Sequence, residues 1–465
     1  MPIPPQTYPP WSAFGDVVPL NTLPDDVPDG EAPWQHAKEL TDFKSQCSPL
    51  LFGGGAFGAG MYNADTVLHS DACIRALRLA FRYGINALDT SPYYYPSELV
   101  LGRALRTLAP EFPRASYFLI TKCGRYGPAR SAFDYTPERI SQSVHDSMER
   151  LGTTYLDAAL LHDAEFVSDQ PRATLDPDGA LLAANAVGIA CDQHGALTQG
   201  EARVVLGTTP ADAPVLRGDG DRRVLDAAHA LFALKDRGVI KNVGMSGYPV
   251  AELVRISRFI ACNAPFRPLD IVLNYSNHTL HSDLLPQWQD MFAVCPWPGG
   301  VCPDGSGRVW EAPMLLNASP FSMGLFSDRG APPWHPASPA LQETVQQVHA
   351  RLARLAAEAK RVSVPKENVL GRTALLHGIR GTEKLELRTL LGMSNVEEVH
   401  AAIAIYRVLV SACGSAEARA KLDPKQIAAL HATYEQLAEY GAIAQAAMKE
   451  AHVYDAAWAQ PPPDA

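Results

Sequence analysis

The 465-residue chain has no CxxC pair, no paired Cys/His spacing, no apolar run of membrane-spanning length and no Lys/Arg-rich stretch. Each absence removes a class of protein. The eight cysteines, Cys47, Cys73, Cys123, Cys191, Cys262, Cys295, Cys302 and Cys413, are scattered, which argues for reduced thiols rather than a disulfide framework or a zinc ribbon. The opening MPIPPQTYPPWSAFGDVVPL lacks both a basic n-region and an apolar h-region, so no secretory signal is read and a cytoplasmic protein is expected. No membrane span is expected. A formal net charge of -10, with no basic run against it, opposes nucleic-acid binding as the main task.

What is present is an ordinary globular composition, with 47% hydrophobic and 19% charged residues. The first forty or so residues are rich in proline and aspartate and lack periodicity, so residues 1–47 are read as an N-terminal arm, either wrapped on the surface or partly disordered. Residues 48–465 read as one large domain. Short apolar runs alternate there with amphipathic stretches: LLFGGGAF, then a helix near Asp71–Tyr83; NALDT, then Ser97–Leu108; SYFLITKC, then Pro137–Leu151. A fourth strand, AALLHD, is separated from its helix near Arg222–Asp236 by an insertion at about 166–221. VIKNVGMSG leads to Val250–Cys262, DIVLNYS to Leu284–Phe292, MLLNASPF to Pro339–Ala359, and LRTLLGMS to Asn395–Ala412. A further helix near Pro424–Lys449 is read as a C-terminal appendage (about 424–452). Eight βα units in this order predict a (β/α)8 TIM barrel with an N-terminal arm, a long insertion after strand 4 and an extra C-terminal helix.

On a barrel, chemistry collects at the carboxyl ends of strands. Asp89, Lys122, His162, Ser246 and Ser319 fall at or just past five such ends. Lys122 follows the apolar FLIT, where desolvation lowers an ammonium's pKa unless an acid pairs with it, and Asp89 is a suitable acid. Paired in this way, Lys122 can favour a tyrosinate at Tyr94, in NALDTSPYYYPSELVLG, so that the phenol moves protons near neutral pH. His162 would orient the substrate oxygen.

These residues, with the motifs DTSPYY, ITKCG, LGTTYLDAALLHD and GMSGY, resemble the aldo-keto reductase family over about Leu51 to Ala412. Asp89, Tyr94, Lys122 and His162 match its catalytic tetrad. Within the family, DTSPYYYPSELVLGRAL, LLHDAEFV and ALKDRGVIKNVGMSGYP are similar to fungal D-arabinose 1-dehydrogenases and plant L-galactose dehydrogenases. That resemblance implies oxidation of an aldose at C1 to the lactone, with ionised Tyr94 taking the hydroxyl proton and nicotinamide C4 taking hydride. It implies cofactor contacts at Ser246 and Gly247, at Ser319, Phe321, Met323 and Gly324, and at Gly392, Ser394, Asn395 and Glu398. Phe57 matches an aromatic at the substrate mouth, beside Tyr94 and His162. The chain departs from the family pattern in three places. Met393 and Glu398 stand where NADP-preferring members often carry lysine and arginine, so NAD is expected over NADP. Ala318 replaces the aromatic that stacks on nicotinamide, leaving Tyr275 as a substitute, and Ala401 and Ala402 replace adenine-holding residues.

Plainer roles stand beside these. Asp89 and Lys122 taken alone can be a structural ion pair. Ser97 is read as a helix cap and Glu98 as a first-turn acid complementing the helix dipole. Tyr93 and Tyr95 are read as loop packing, with contact to a sugar open to either, Cys123 as packing on the opposite strand face, Asp219 as a turn and Asp221 as a helix cap. Cys295 and Cys302 lie in one Pro/Gly loop and can approach each other. No ligand spacing marks a metal site, His194 and its acidic neighbours included. The rival functions are an NADPH-dependent aldehyde or ketone reductase, a Schiff-base aldolase using Lys122, and a cofactor-binding regulatory subunit with little turnover. The partner expected is a small-molecule sugar, with no nucleic acid and no membrane, and the sequence leaves oligomeric state open.

Overall fold

The structure is a computed structural model and describes residues 10–28, 39–169, 211, 213–327, 329–359, 367–384, 386–456 and 458. Eight strands, β1 (Leu50–Gly53), β2 (Ala87–Asp89), β3 (Phe118–Cys123), β4 (Leu156–Leu161), β5 (Ile240–Gly247), β6 (Ile271–Tyr275), β7 (Met314–Ala318) and β8 (Arg388–Gly392), lie side by side in chain order. All pairings are parallel, and Leu51 opposite Leu390 closes β8 onto β1. The fold is the (β/α)8 barrel that the βα rhythm predicts.

Strand parity decides what points inward. Leu51, Ala87, Phe118, Ile120, Ala158, Leu160, Ile271, Leu273, Met314, Leu316, Ala318 and Leu390 fill the barrel, while their neighbours, such as Phe52, Leu88, Leu119, Ala159, Val243 and Val272, pack on the helices outside. Gly244 keeps the interior open for this filling, because a Cβ there would lie 2.5 Å from Leu160 and 2.4 Å from the Ile271 carbonyl. Two steps beyond Ala87, Ile120 and Leu160, the same inward parity delivers Asp89, Lys122 and His162 to the carboxyl end.

The longer helices are α1 (Ala72–Arg82), α2 (Ser97–Leu108), α3 (Pro137–Leu151), α4 (Asp219–Asp236), α5 (Val250–Cys262), α6 (Leu284–Ala293), α7 (Pro339–Glu358), α8 (Val369–Ile379), α9 (Val396–Cys413) and α10 (Ile427–Glu450). Proline at N1 starts α3, and left-handed Gly152 ends it, with the Thr153 amide returning to the Met148 carbonyl. The sequence pattern missed α8, which is buried over most of its length and therefore has no polar stripe to give it a helical period. α10 packs on α7, α8 and α9.

Several local readings are corrected. Ser97 is the first helical residue of α2 rather than its cap, and its hydroxyl donates to the Gly54 carbonyl. Glu98 lies in the first turn of α2 as read, but it is buried there, accepting from Thr121 Oγ1 of β3 and Arg150 Nε of α3 at 2.6 Å each, so it is also part of an internal ion pair. Asp219 and Asp221 lie inside the first turn of α4, whose N-cap is Gly218. Asp221 exchanges hydrogen bonds with Asp169 across the base of the insertion and pairs with buried Arg255. The insertion itself, at 170–210, and His194 within it lie outside the described residues.

Part of the N-terminal arm is also outside them, and the rest is packed. Phe14 stacks on His69 at 5.0 Å, and Asp25 and Asp26 pair with Arg82 and Arg75 of α1. Leu40, Phe43 and Cys47 cover the amino end of the barrel, with Phe43 edge-on to Phe118 at 4.9 Å. The described cysteines are free thiols, Cys295 and Cys302 among them, and Cys123 packs outward as its parity requires.

Candidate active site

The ends of β2, β3 and β4 bring the sequence tetrad together. Lys122 Nζ donates to Asp89 Oδ1 and, at 3.1 Å, to the Thr90 carbonyl, and both charged side chains are almost wholly buried. Burial raises the Asp89 pKa while the Lys122 charge opposes it. Tyr94 sits in the short helical turn Pro92–Tyr94 that Ser91 caps, and its half-buried ring lies 4.7 Å from Lys122 Nζ. The same ring meets His162 edge-on, with centroids 5.5 Å apart.

The phenol is not held ionised. Burial, with the Asp89 and Asp163 charges behind it, pushes the Tyr94 pKa well above the ordinary tyrosine range, and Arg125 offsets only part of this. The expectation that Lys122 lowers it fails because the ammonium is committed to Asp89 and Thr90. Burial and the charges of Lys122 and Arg125 push the His162 pKa well below its usual value, so the imidazole is neutral. Its tautomer follows from its neighbours. The Ser91 hydroxyl, which accepts from the Tyr93 amide at 3.1 Å, stands 2.9 Å from His162 Nδ1 and can donate to it, and the Asp163 carboxylate 3.7 Å from Nε2 favours the ring hydrogen there.

Around the tetrad stand residues that the sequence reading did not single out. Arg125 pairs with Asp163, which has φ 55° and a carboxylate 3.7 Å from His162 Nε2, and its guanidinium lies 3.9 Å over the Tyr93 ring. Tyr93 is therefore bound into the site rather than loose loop packing. Tyr135 donates to the His162 carbonyl at 2.8 Å, a contact that Gly124 permits because a Cβ there would fall 2.4 Å from the Tyr135 ring. Asp163 in LLHD and Arg125 in KCGR adjoin tetrad members, and that adjacency was their only signal.

The positions named for the cofactor lie on the same barrel end. Ser246 and Gly247 end β5; Ser319, Phe321, Met323 and Gly324 form the loop after β7; Gly392 ends β8; and Ser394, Asn395 and Glu398 form the start of α9. Ser319, Ser322, Met323 and Gly324 all have positive φ, so this loop turns its backbone sharply, and the Ser319 hydroxyl accepts from the Met323 amide at 2.7 Å. Asn274, next to last in β6, pairs with Gly247. Its Nδ2 donates to the Gly247 and Tyr248 carbonyls, and its buried Oδ1 has no partner among the described residues. Ser246 Oγ makes only long contacts, at 3.3 and 3.4 Å. Ser246 shares the inward parity of Gly244, and a weakly engaged hydroxyl at that strand end fits a polar partner such as the carboxamide of a nicotinamide.

Two placements differ from expectation. Phe57 is wholly buried, stacked on Phe52 at 6.2 Å, so it belongs to the core and not to the mouth. Met393 is buried in the outer core, which removes it from any phosphate contact. Tyr275, the substitute for a stacking aromatic, is half-buried at the end of β6 and packs on Tyr248 at 5.2 Å.

Comparison with known proteins gives this site its class. The model of the aldo/keto reductase family matches residues 49–301. D-arabinose 1-dehydrogenase of Saccharomyces cerevisiae is 30% identical over 366 residues, covering 78% of this chain and 84% of that protein. L-galactose dehydrogenase of Arabidopsis thaliana is 28% identical over 347 residues, covering 73% and 80%. Among solved structures, an aldo-keto reductase from Bacillus halodurans in its holo form aligns with TM-score 0.43 at 17% identity, over 85% of this chain and 92% of that one. The chain belongs to the aldo/keto reductase family. It is an NAD(P)-dependent oxidoreductase acting on small molecules, and no helix among the described residues is long and apolar enough to cross a membrane.

Proposed function

We propose that the protein oxidises an aldose at C1 to the lactone with NAD as electron acceptor, and that Asp89, Tyr94, Lys122 and His162 carry the reaction. The supporting observation is the meeting of buried Lys122, its Asp89 partner, Tyr94 and neutral His162 at three adjacent strand ends. The two curated relatives that span most of the chain are named for D-arabinose and L-galactose. In their pyranose forms these sugars share configuration at C2, C3 and C4, so one pocket can accept either.

A bound nicotinamide supplies the two-electron acceptor. His162 donates Nε2–H to the C1 hydroxyl oxygen and fixes its direction, in the tautomer that Ser91 and Asp163 favour. Tyr94 acts as base only after its phenol has lost a proton to solvent. The phenolate, with the Lys122 ammonium 4.7 Å from its ring, then takes the C1 hydroxyl proton and is returned to the neutral phenol. Because the resting phenol is neutral, oxidation speeds up as pH rises. Ser246 would meet the carboxamide, the loop from Ser319 to Gly324 the pyrophosphate, and the start of α9 the adenosine ribose.

By the family resemblance Glu398 stands at the position that faces a 2′-phosphate, and its carboxylate, bonded to the Ser394 amide at 2.6 Å and hydroxyl at 2.9 Å, would oppose that dianion, which favours NAD. One observation favours a second reading. A neutral buried phenol is a ready proton donor, as carbonyl reduction requires, so an aldehyde or ketone reductase is the alternative. The test is the absorbance of reduced nicotinamide with NAD, then NADP, across D-arabinose, L-galactose, L-fucose and D-xylose. Turnover of the first three with NAD is expected. Silence with every sugar, alongside oxidation of NADH or NADPH by simple aldehydes, overturns the dehydrogenase in favour of the reductase.

A further inference from the structure

We propose that His278, Asp283 and His377 form a binding site for one divalent transition-metal cation of the zinc class, which ties the loop after β6 to α8 beneath the C-terminal helix. His278 Nδ1 and His377 Nε2 each lie 2.8 Å from Asp283 Oδ1, and the ligand atoms all fall within 4.8 Å of one another. Two imidazoles and a carboxylate are a common donor set for such ions, and cis ligands on a six-coordinate metal at about 2.1 Å stand about 3 Å apart.

Three features of the surroundings fit a cation. Both imidazoles are buried with ring centroids 5.2 Å apart, and His278 Nε2 has no hydrogen-bond partner among the described residues, so only the Nδ1 side orients that ring. Asp283 is held from behind, with Oδ2 accepting from Gln445 Nε2 at 3.0 Å and Tyr454 OH at 3.1 Å, as outer partners hold a metal-binding carboxylate. Asp283 is also partly exposed, which leaves an entry path and room for water ligands. Arg380 lies near enough to His278 to oppose a cation, and the Asp283 carboxylate among the ligands faces that charge. The ligands lie 94 residues apart along the chain, from Asp283 to His377, so spacing along the sequence could not reveal them.

The rival explanation is a hydrogen-bonded hub, in which both rings donate to Asp283 and no ion enters. The experiment titrates EDTA-stripped, desalted full-length protein with Co2+, following visible d–d absorption, and measures melting with and without Zn2+. One Co2+ per chain is expected, with a Zn2+-dependent rise in Tm that EDTA reverses. His278→Gln and His377→Gln should each weaken Co2+ binding about tenfold or more, while His431→Gln, on exposed α10, should leave it unchanged. Wild-type protein that takes up no Co2+ at a hundred-micromolar-order concentration overturns the proposal whatever the variants do. So does binding that survives in both ligand variants. These readouts need no turnover, so they stand or fall separately from the assigned reaction.

Discussion

The two sides of the barrel mouth are built differently. At the ends of β2, β3 and β4, side chains make the site: Lys122 on Asp89, Arg125 on Asp163, and His162 on Ser91, all within a few ångströms and nearly dry. Around β5 to β8, backbone conformation makes it, through the positive-φ loop from Ser319 to Gly324 and the helix start at Asn395. A reaction that moves a proton needs titratable groups at fixed distances, whereas an extended ligand is held by amides that almost any residue can supply. The first side should therefore respond to single substitutions much more strongly than the second.

The largest effect is expected at Tyr94. Tyr94→Phe removes the proton acceptor but keeps the ring against His162, so kcat should fall about a hundred- to ten-thousandfold, with nucleotide affinity unchanged by fluorescence titration. A variant that turns over normally would end the assignment. Next is Asp89→Asn, which leaves the Lys122 ammonium buried without its counter-charge and should destabilise by about 3–5 kcal/mol in urea unfolding. Adding Lys122→Met should restore much of that stability and none of the activity. An unchanged urea midpoint in Asp89→Asn would show that the two sides do not differ in this respect.

The first side was legible because its chemistry follows strand parity. Asp89, Lys122 and His162 are each two residues past an inward apolar position, a pattern visible in ALD, LITK and LLHD. Arg125 and Asp163 went unnoticed because a buried ion pair between loop residues has no period. Phe57 was misplaced because an aromatic after a glycine run reads alike whether it faces solvent or core. Helix α8 escaped for a related reason, being apolar on every side, and so did His377, which it carries toward Asp283. Contacts between distant segments leave no local trace, and on the second side they are the rule.

Both sides bury neutral imidazoles, which makes pH a graded probe of the comparison. His162 on the first side, and His278 and His281 on the second, have pKa values lowered by burial, His281 down to about 3. Unfolded histidines bind protons below about pH 6.5, where these remain neutral in the fold. Stability from this source is thus complete above that pH and is lost as pH falls toward the depressed values. Asp455, pushed up to about 7, works the other way, since the fold takes up its proton before the unfolded chain does. Tm should fall between pH 7 and pH 5, and more steeply in Asp455→Asn. A Tm that rises over that interval would contradict the neutral assignment of these rings.

The smallest effect is expected at Glu398, on the side where backbone does the holding. Glu398→Gln keeps an acceptor for the Ser394 amide, and Asn395 still caps α9 through the Glu398 backbone amide at 2.9 Å, so the helix start survives. Only the charge is lost. Repulsion between a partly exposed carboxylate and a 2′-phosphate a few ångströms away amounts to about 1 kcal/mol at the dielectric of water, so the KM for NADP should fall about fivefold while that for NAD stays level. The gain should shrink at 1 M salt, where such repulsion is screened over about 3 Å. An equal change for both nucleotides would mean that Glu398 acts on the helix start and not on the phosphate. The NAD preference would then have to come from the shape of the loop after β8.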